Sequence, residues 1–564
     1  MLRAGVGAVA LAWMPAFRVP AALGLDGCVT PPRFPAHIPL YKQAFENWAK
    51  AIVVDDLWTC APRNAGEVAD LVNWGHRKGW RIRPRGSMHN WSPLCITADT
   101  GCDDRVVLVD TTEHLTGLEL VDADGPAIRA GAGATMEQVA TFAEVHGFGF
   151  AALPAVGDVT VGGGLAIGMH GAVLPARGER LPDGHTYGSL ANLVVSLEAV
   201  VWSPRRRRYV VRTFERSHPD AAALLVHLGR AFVTSATLRV APNQNLRCVS
   251  RVDIPARELF AAPGSGGETM ASFVEETGRA EAIWFPFTEN PWLKVWSVSP
   301  QKPPGSREVG GPYNYVFSDN LPEPVTDLVK ELISGNGAVA PLFAQTEFEI
   351  ARAGLTATQS LDIWGKSKNT LFYIRPTTLR LDEFGYAVLT KRKHLQRVIH
   401  VFTSFYERRL DELRAQGAFP VNGPLEIRAC GLDRAVDSGI RGARAPALAA
   451  TVPRRDRPQW DVAVFMNGLT FPRTPGEYAY FRELERFVRS TYRGWAAPRV
   501  EWSKGFAFSE NAIWANKRIL SRRLPRSLSI GRPRNANWDW AVATLDRYDP
   551  HRVLSNGFLD RLLR

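Results

Sequence analysis

The chain has 564 residues, 45% of them hydrophobic and 22% charged. These are ordinary globular values, which exclude a disordered, collagen-like or coiled-coil protein. Lys and Arg number 68 against 56 acids, a net charge of +12, which favours anionic partners; yet the one dense run, Arg205–Arg208, reads as a solvated turn, and no nucleic-acid motif accompanies it. No nucleic-acid partner is expected.

In chain order, residues 1–24 form a leader. Ala4–Phe17 is an apolar stretch of 14 residues, too short to span a bilayer and suited to the core of an export signal. The expectation is a secreted protein, with a cytoplasmic one as the alternative. Ala44–Ala51 and Ala65–Lys78 read as helices, and Trp80–Arg83, Val106–Asp110 and Ala127–Ala130 as strands. Thr135–His146 reads as a helix closed by Gly147. Strands at Ser189–Trp202 and Arg208–Arg212 follow, then a helix at His218–Leu228 and a strand at Ala236–Val240.

After Pro242 the texture changes. Connections lengthen and aromatics crowd between Trp284 and Phe317, so a boundary is placed at residue 241. Ser367–Leu381 and Leu425–Leu432 read as strands of a second sheet. Lys391–Gln416 and Pro475–Thr491 read as long helices. Past Trp495 the style of the first part returns. The expected organisation is a leader (1–24), a first unit (30–241), a second unit (242–494) and a returning segment (495–564). The 17 tryptophans call for large cores or an apolar binding cavity.

The 6 cysteines form no C-x-x-C pair, which argues against structural zinc. Cys95 and Cys102 are close enough for a loop disulfide, with buried free thiols as the alternative. No H-E-x-x-H or G-x-S-x-G motif occurs, so neither a metal nor a serine-hydrolase site is expected.

Two segments carry chemistry. In the first, Pro84-Arg85-Gly86-Ser87-Met88-His89-Asn90-Trp91, a strand runs into a small polar turn whose N–H groups can form a nest for phosphate oxygens. His89 is an ordinary loop histidine or a functional one. The second, Pro154–Gly171, is rich in glycine: Gly157, Gly162, Gly163, Gly164, Gly168 and Gly171. Glycines permit close backbone approach to a flat or charged group, although a tight turn against a sheet has the same pattern. Further on, Glu426 and Arg428 stand two apart, so on a strand they share one face. They form either a surface ion pair or a charged pair in a cavity.

Segments 81–93 and 131–171 together resemble the flavin-binding stretches of the vanillyl-alcohol-oxidase type of FAD enzymes. Phe285–Trp292 and Gly423–Arg428 are similar to the bacterial cholesterol oxidases with covalently attached FAD, and the resemblance runs over roughly residues 30–564. It implies an α+β fold: a two-part FAD-binding domain plus a substrate domain whose mixed or antiparallel sheet is covered by helices. It implies FAD bonded through His89, with His170 as the rival attachment site. Because no cysteine occurs between Cys102 and Cys248, a single bond is expected. Pro84, Arg85, Gly86, Ser87, Met88, Asn90, Trp91, Gly157, Val161, Gly162, Gly163, Gly164 and Gly171 would hold the cofactor, with the Arg85–Trp91 backbone and the Gly162–Gly164 turn on the pyrophosphate.

The resemblance also implies that Glu426, Arg428 and Glu289 form the floor of the steroid cavity, with Asn467 nearby and Glu383 and Glu501 behind. The implied activity is oxidation of a sterol 3β-hydroxyl by oxygen, giving hydrogen peroxide and a conjugated 4-en-3-one. An FAD-linked oxidase or dehydrogenase of another bulky alcohol is the alternative. The implied partners are sterol, oxygen and, transiently, a membrane surface.

Overall fold

The computed structural model describes residues 28–182, 185–315 and 323–564; the expected leader and Phe317 lie outside them. Two small sheets and one large sheet organise the described residues, with a two-stranded pairing of Phe148–Gly149 and Ala241–Pro242 besides. The first has four strands in the order Leu40–Glu46, Val53–Cys60, Val106–Asp110 and Arg81–Arg85. The second has five, in the order Leu118–Asp122, Pro126–Gly131, Phe232–Arg239, Val194–Ser203 and Arg208–Glu215. Helix Ala65–Lys78 packs between them. Its ends are written in the sequence: the Asn64 side chain accepts the Glu67 amide, and Gly79 ends the helix at φ 68°, an αL position that glycine takes without strain.

The large sheet has nine strands, in the order Arg307–Glu308, Asp362–Lys366, Asn245–Arg251, Trp292–Val298, Arg279–Trp284, Leu425–Gly431, Val462–Thr470, Asp382–Thr390 and Ala497–Val500. It is antiparallel except for the edge pair Arg307–Glu308 with Asp362–Lys366. Helices Leu395–Arg414 and Glu477–Thr491 cover one face, joined by Phe405 stacked on Phe487 at 3.9 Å and by the Arg409–Glu483 ion pair. Phe384 and Phe402 tie sheet to helix. Burial of such aromatic surface is the main favourable term holding the layers together.

Several elements differ from expectation. Residues 44–51 are not helical: Leu40–Glu46 is a strand paired antiparallel to Val53–Cys60, with Tyr41 and Phe45 buried. Sheet pairing here overrides a weak local preference. Ser367–Leu381 is not a strand. Ser367–Leu371 is a short helix, after which the Tyr373 and Ile374 amides bond to Ala155 O, in the glycine-rich stretch. His218–Leu228 contracts to Ala221–Leu224. The expected Cys95–Cys102 bridge is absent: Cys102 joins Cys28, and Cys95 is a free thiol. The bridge fastens the arm before the first strand, a partner distant in sequence that local spacing does not reveal.

The chain's last part packs on the first two sheets. Arg230 and the Tyr209 hydroxyl both reach Asp549, the Ile82 amide donates to Val553 O at 2.9 Å, and Arg81 pairs with Asp560 at 2.7 Å.

Candidate active site

Two adjoining cavities meet at His89. The smaller, about 120 Å3, is lined by Pro84–Asn90 on one side and by Thr160, Gly162, Gly163 and Leu228–Gly229 on the other. The larger, about 290 Å3, is mostly apolar. His89, Val159 and Ile167 line both.

The smaller cavity is built by local sequence. Strand Arg81–Arg85 ends in a turn in which Met88 holds φ 57°. Among the described residues, the amides of Ser87, Met88 and His89 have no acceptor, leaving a row of donors for an anion. Arg83, buried beneath, donates to the carbonyls of Leu94, Cys95, Gly229 and Leu554 and so fixes the turn. Gly86 is required by contact: a Cβ there would stand 2.1 Å from Thr160 Oγ1.

The Gly162–Gly164 segment corrects the sequence reading. It is the first turn of helix Val161–Ile167, not a loop, and its amides already bond to Ala132 O, Thr160 Oγ1 and Thr160 O. These glycines serve close packing: a Gly162 Cβ would lie 2.9 Å from that of Ala132. Gly157, Val161 and Gly164 do not line either cavity.

His89 is buried and stacks on Trp48 at 3.6 Å between ring centroids. Its Nδ1 is 3.5 Å from Asp158. Burial lowers its pKa, opposed by Asp158. The imidazole is therefore neutral and keeps a nucleophilic nitrogen. Free turn amides, a neutral histidine and a cradle closed by glycine contacts fit the pyrophosphate and ring of FAD.

The larger cavity is built by strand register. On Leu425–Gly431, Glu426 and Arg428 share one face, the parity expected from spacing. Glu281 stands opposite Arg428, and Asn467 opposite Glu426. Arg428 donates to Glu426 at 2.9 Å and to Glu281 at 3.2 Å, and stands 3.8 Å from Glu501. The Tyr373 hydroxyl donates to the other Glu281 oxygen. Asn467 is buried behind this group and donates to Glu501 at 2.7 Å. His170 lines the cavity beside Gly171 and Trp91, stacked on Phe465 at 3.7 Å and 3.9 Å from Glu501. Burial pushes its pKa down to about 4.

Four carboxyls (Glu281, Glu383, Glu426 and Glu501) thus share Arg428 and Lys504, with Lys294 buried opposite Glu281 on the neighbouring strand. Burial raises Glu281, against the pull of Arg428. Burial raises Glu383 to about 7 despite Lys504 at 2.6 Å. At Glu501 burial also pushes upward, but Lys504, Arg428 and His170 together outweigh it and hold the carboxyl below its usual range. The cluster therefore holds an exchangeable proton near neutral pH.

Glu289, expected on the cavity floor, is not there. It follows the turn after strand Arg279–Trp284, is 66% exposed and pairs with Arg257 at 2.5 Å. Glu281, within that strand, takes the place instead. A lone acid in the buried run Arg279–Trp284, on the same face as Ile283 and Phe285, was the available signal. Glu383 and Glu501 line the cavity directly.

One short segment backs both cavities. After the edge strand Ala497–Val500, Glu501 enters the charge cluster. The Ser503 carbonyl accepts the Trp91 and Ser92 amides at 2.8 and 3.1 Å, and Trp502 O accepts the Ser92 hydroxyl at 2.6 Å. Lys504 lies 3.6 Å above the Trp91 ring.

Such an arrangement, an anion-binding turn and neutral histidine beside a proton-exchanging apolar cavity, defines a flavin-binding oxidoreductase. Residues 58–203 match the model of an FAD binding domain, and residues 245–564 match that of the cholesterol oxidase substrate-binding domain. The second match includes the segment after residue 495, whose strand Ala497–Val500 ends the large sheet and whose later part packs on the first two sheets. A solved solvent-stable cholesterol oxidase is 50% identical, with a TM-score of 0.94 over 95% of this chain and 100% of that one. The cholesterol oxidase from Brevibacterium sterolicum is 47% identical, with a TM-score of 0.93 over 96% and 100%. The chain belongs to the cholesterol oxidase family.

Curated relatives match more narrowly. D-lactate dehydrogenase from Archaeoglobus fulgidus is 29% identical over 35% of this chain and 41% of its own length. Alditol oxidase from Streptomyces sp. is 25% identical over 46% and 59%. The chain spans about half the length of these curated relatives.

Proposed function

We propose that this protein oxidises the 3β-hydroxyl of a cholesterol-like sterol with oxygen, giving hydrogen peroxide, and moves the 5-ene into conjugation as the 4-en-3-one. The observation that carries this reading is the buried Arg428–Glu426–Glu281 group on one wall of an apolar cavity that adjoins the flavin pocket at His89. FAD, when bound, supplies the hydride acceptor and the route of electrons to oxygen.

The chain's own residues do the rest. The apolar walls, with Phe285, Trp292, Leu371 and Leu379, exclude water and hold the rigid rings. Arg428 faces the reacting oxygen and stabilises negative charge developing there. Both Glu281 oxygens are engaged, whereas among the described residues Glu426 is hydrogen-bonded only by Arg428. Glu426 is thus the carboxyl free to accept a proton from the substrate and to carry one from C4 to C6.

His89 is the proposed attachment point for the flavin, supported by its neutral buried ring and by its place between the cavities. Loss of the acid-stable yellow colour in a His89→Ala variant tests that bond. Turnover of cholesterol, with peroxide and conjugated enone followed separately, tests the activity. A Glu426→Gln variant that still isomerises at the wild-type rate sinks the proton-shuttle role.

Secretion is proposed from the leader and from the Cys28–Cys102 bridge, since disulfides persist in oxidising compartments. Membrane contact is proposed at the exposed Ile333 and Leu342: Ile333 ends helix Glu323–Ile333, and Leu342 lies on helix Ala340–Ala357, which lines the larger cavity. Flotation with sterol-containing vesicles tests it: a protein that stays at the bottom of the gradient counts against contact there.

A further inference from the structure

The larger cavity has one charged wall, already described, and a further carboxyl elsewhere in its lining. Helix Ala340–Ala357 presents Glu347, Ile350 and Ala351 to the cavity. Around Glu347 that helix is apolar: Phe343, Ala344, Phe348 and Ala351 are buried, and Phe348 packs edge-on against Phe285 at 6.4 Å. Glu347 Oε2 is sealed from solvent and has no hydrogen-bond partner among the described residues. Burial alone drives this carboxyl up to about 8; no charged side chain contributes. Glu347 therefore lies beyond the reach of Arg428, Lys504 and the four carboxyls grouped with them, on a separate part of the cavity wall.

Buried polar atoms are almost always paired, because an unmet donor or acceptor forfeits its bonds to water. A protonated carboxyl offers one donor and one acceptor. A cavity occupant that carries an oxygen can supply such a partner. A plain sterol carries its only polar atom at the end that meets Arg428 and Glu426, and so leaves Glu347 facing hydrocarbon.

We propose that Glu347 is a specificity-determining residue that hydrogen-bonds an oxygen carried on the substrate away from the reacting hydroxyl. This selects sterols bearing a hydroxyl or keto group on the side chain or the far rings. The inference rests on the sterol reading of the cavity above.

The test uses the flavin-loaded enzyme and peroxide release. kcat/KM is measured for cholesterol and for cholesterol with a terminal side-chain hydroxyl, in wild type, Glu347→Gln and Glu347→Leu. The expected preference of wild type for the hydroxylated sterol falls about tenfold or more in Glu347→Leu, because a site built to bond a hydroxyl discriminates strongly once its partner is removed. Glu347→Gln, which keeps a donor and an acceptor, retains most of the preference. Flavin content and melting temperature of each variant report folding. Equal preference in all three proteins, or a loss in Glu347→Gln as large as in Glu347→Leu, overturns the proposal. Wild-type turnover of cholesterol judges the sterol reading separately: without it that reading falls first, whereas cholesterol turnover with an unchanged ratio removes only the role of Glu347.

Discussion

The two cavities are built in opposite ways. The flavin-side cavity is made of backbone: a turn with unpaired amides and glycines that let a helix and a strand touch. Its parts come mainly from two continuous stretches of sequence. The sterol-side cavity is made of side chains delivered by separate strands and helices, from Glu281 to Glu501, and each carboxyl's protonation depends on the others being in place. A backbone site tolerates little change of shape, and a side-chain site little change of charge.

The largest effect expected is at Arg428. Arg428→Met leaves Glu281, Glu426 and Glu501 without their shared cation, and turnover falls about 100- to 1,000-fold. Flavin absorbance stays near wild type, because the smaller cavity is untouched. Loss of both together would mean that the two cavities do not act independently. The complementary change is Gly86→Val, whose side chain would occupy the space of Thr160. Flavin content falls about tenfold, equivalent to roughly 1.4 kcal/mol, measured as the visible-to-ultraviolet absorbance ratio. Retention of full flavin would mean that the turn can yield.

A third test is stability against pH. Glu383 keeps its proton up to about 7, against an ordinary 4.5. Between those values the unfolded chain has released that proton and the folded one has not. Its contribution is fully present below about 4.5 and is lost as pH rises through 7. Melting temperature should decline over that window, less steeply in Glu383→Gln. The smallest effect is at Glu289. Its partner is on the surface, and such pairs contribute about 0–1 kcal/mol. Glu289→Gln should change turnover by less than about twofold, while Glu281→Gln changes it strongly.

The same contrast governs what the sequence discloses. Pro84–Trp91 and the glycine-rich stretch are continuous in sequence, so their resemblance to flavin-binding stretches is legible without the fold, and strand parity puts Glu426 and Arg428 on one face while only the resemblance puts that face in a cavity. Glu281 is not legible in the sequence because its meaning comes from Arg428 across a strand pair, 147 positions away. Glu289 stands in the motif but, after the turn, its side chain faces Arg257 at the surface. The helix expected at 44–51 and the Cys28–Cys102 bridge likewise depended on partners that periodicity does not name.

Residues 497–504 carry a practical consequence. This run is at once the outer strand of the substrate sheet, a member of its charge cluster and the support beneath the flavin turn. A chimera that takes its substrate unit from another member of the family and cuts the chain just before residue 497 would pair one parent's cavity with the other's brace. Crossovers placed beyond residue 505, with the whole run kept alongside its own sheet, are the ones from which an exchanged unit would arrive already aligned to its cofactor.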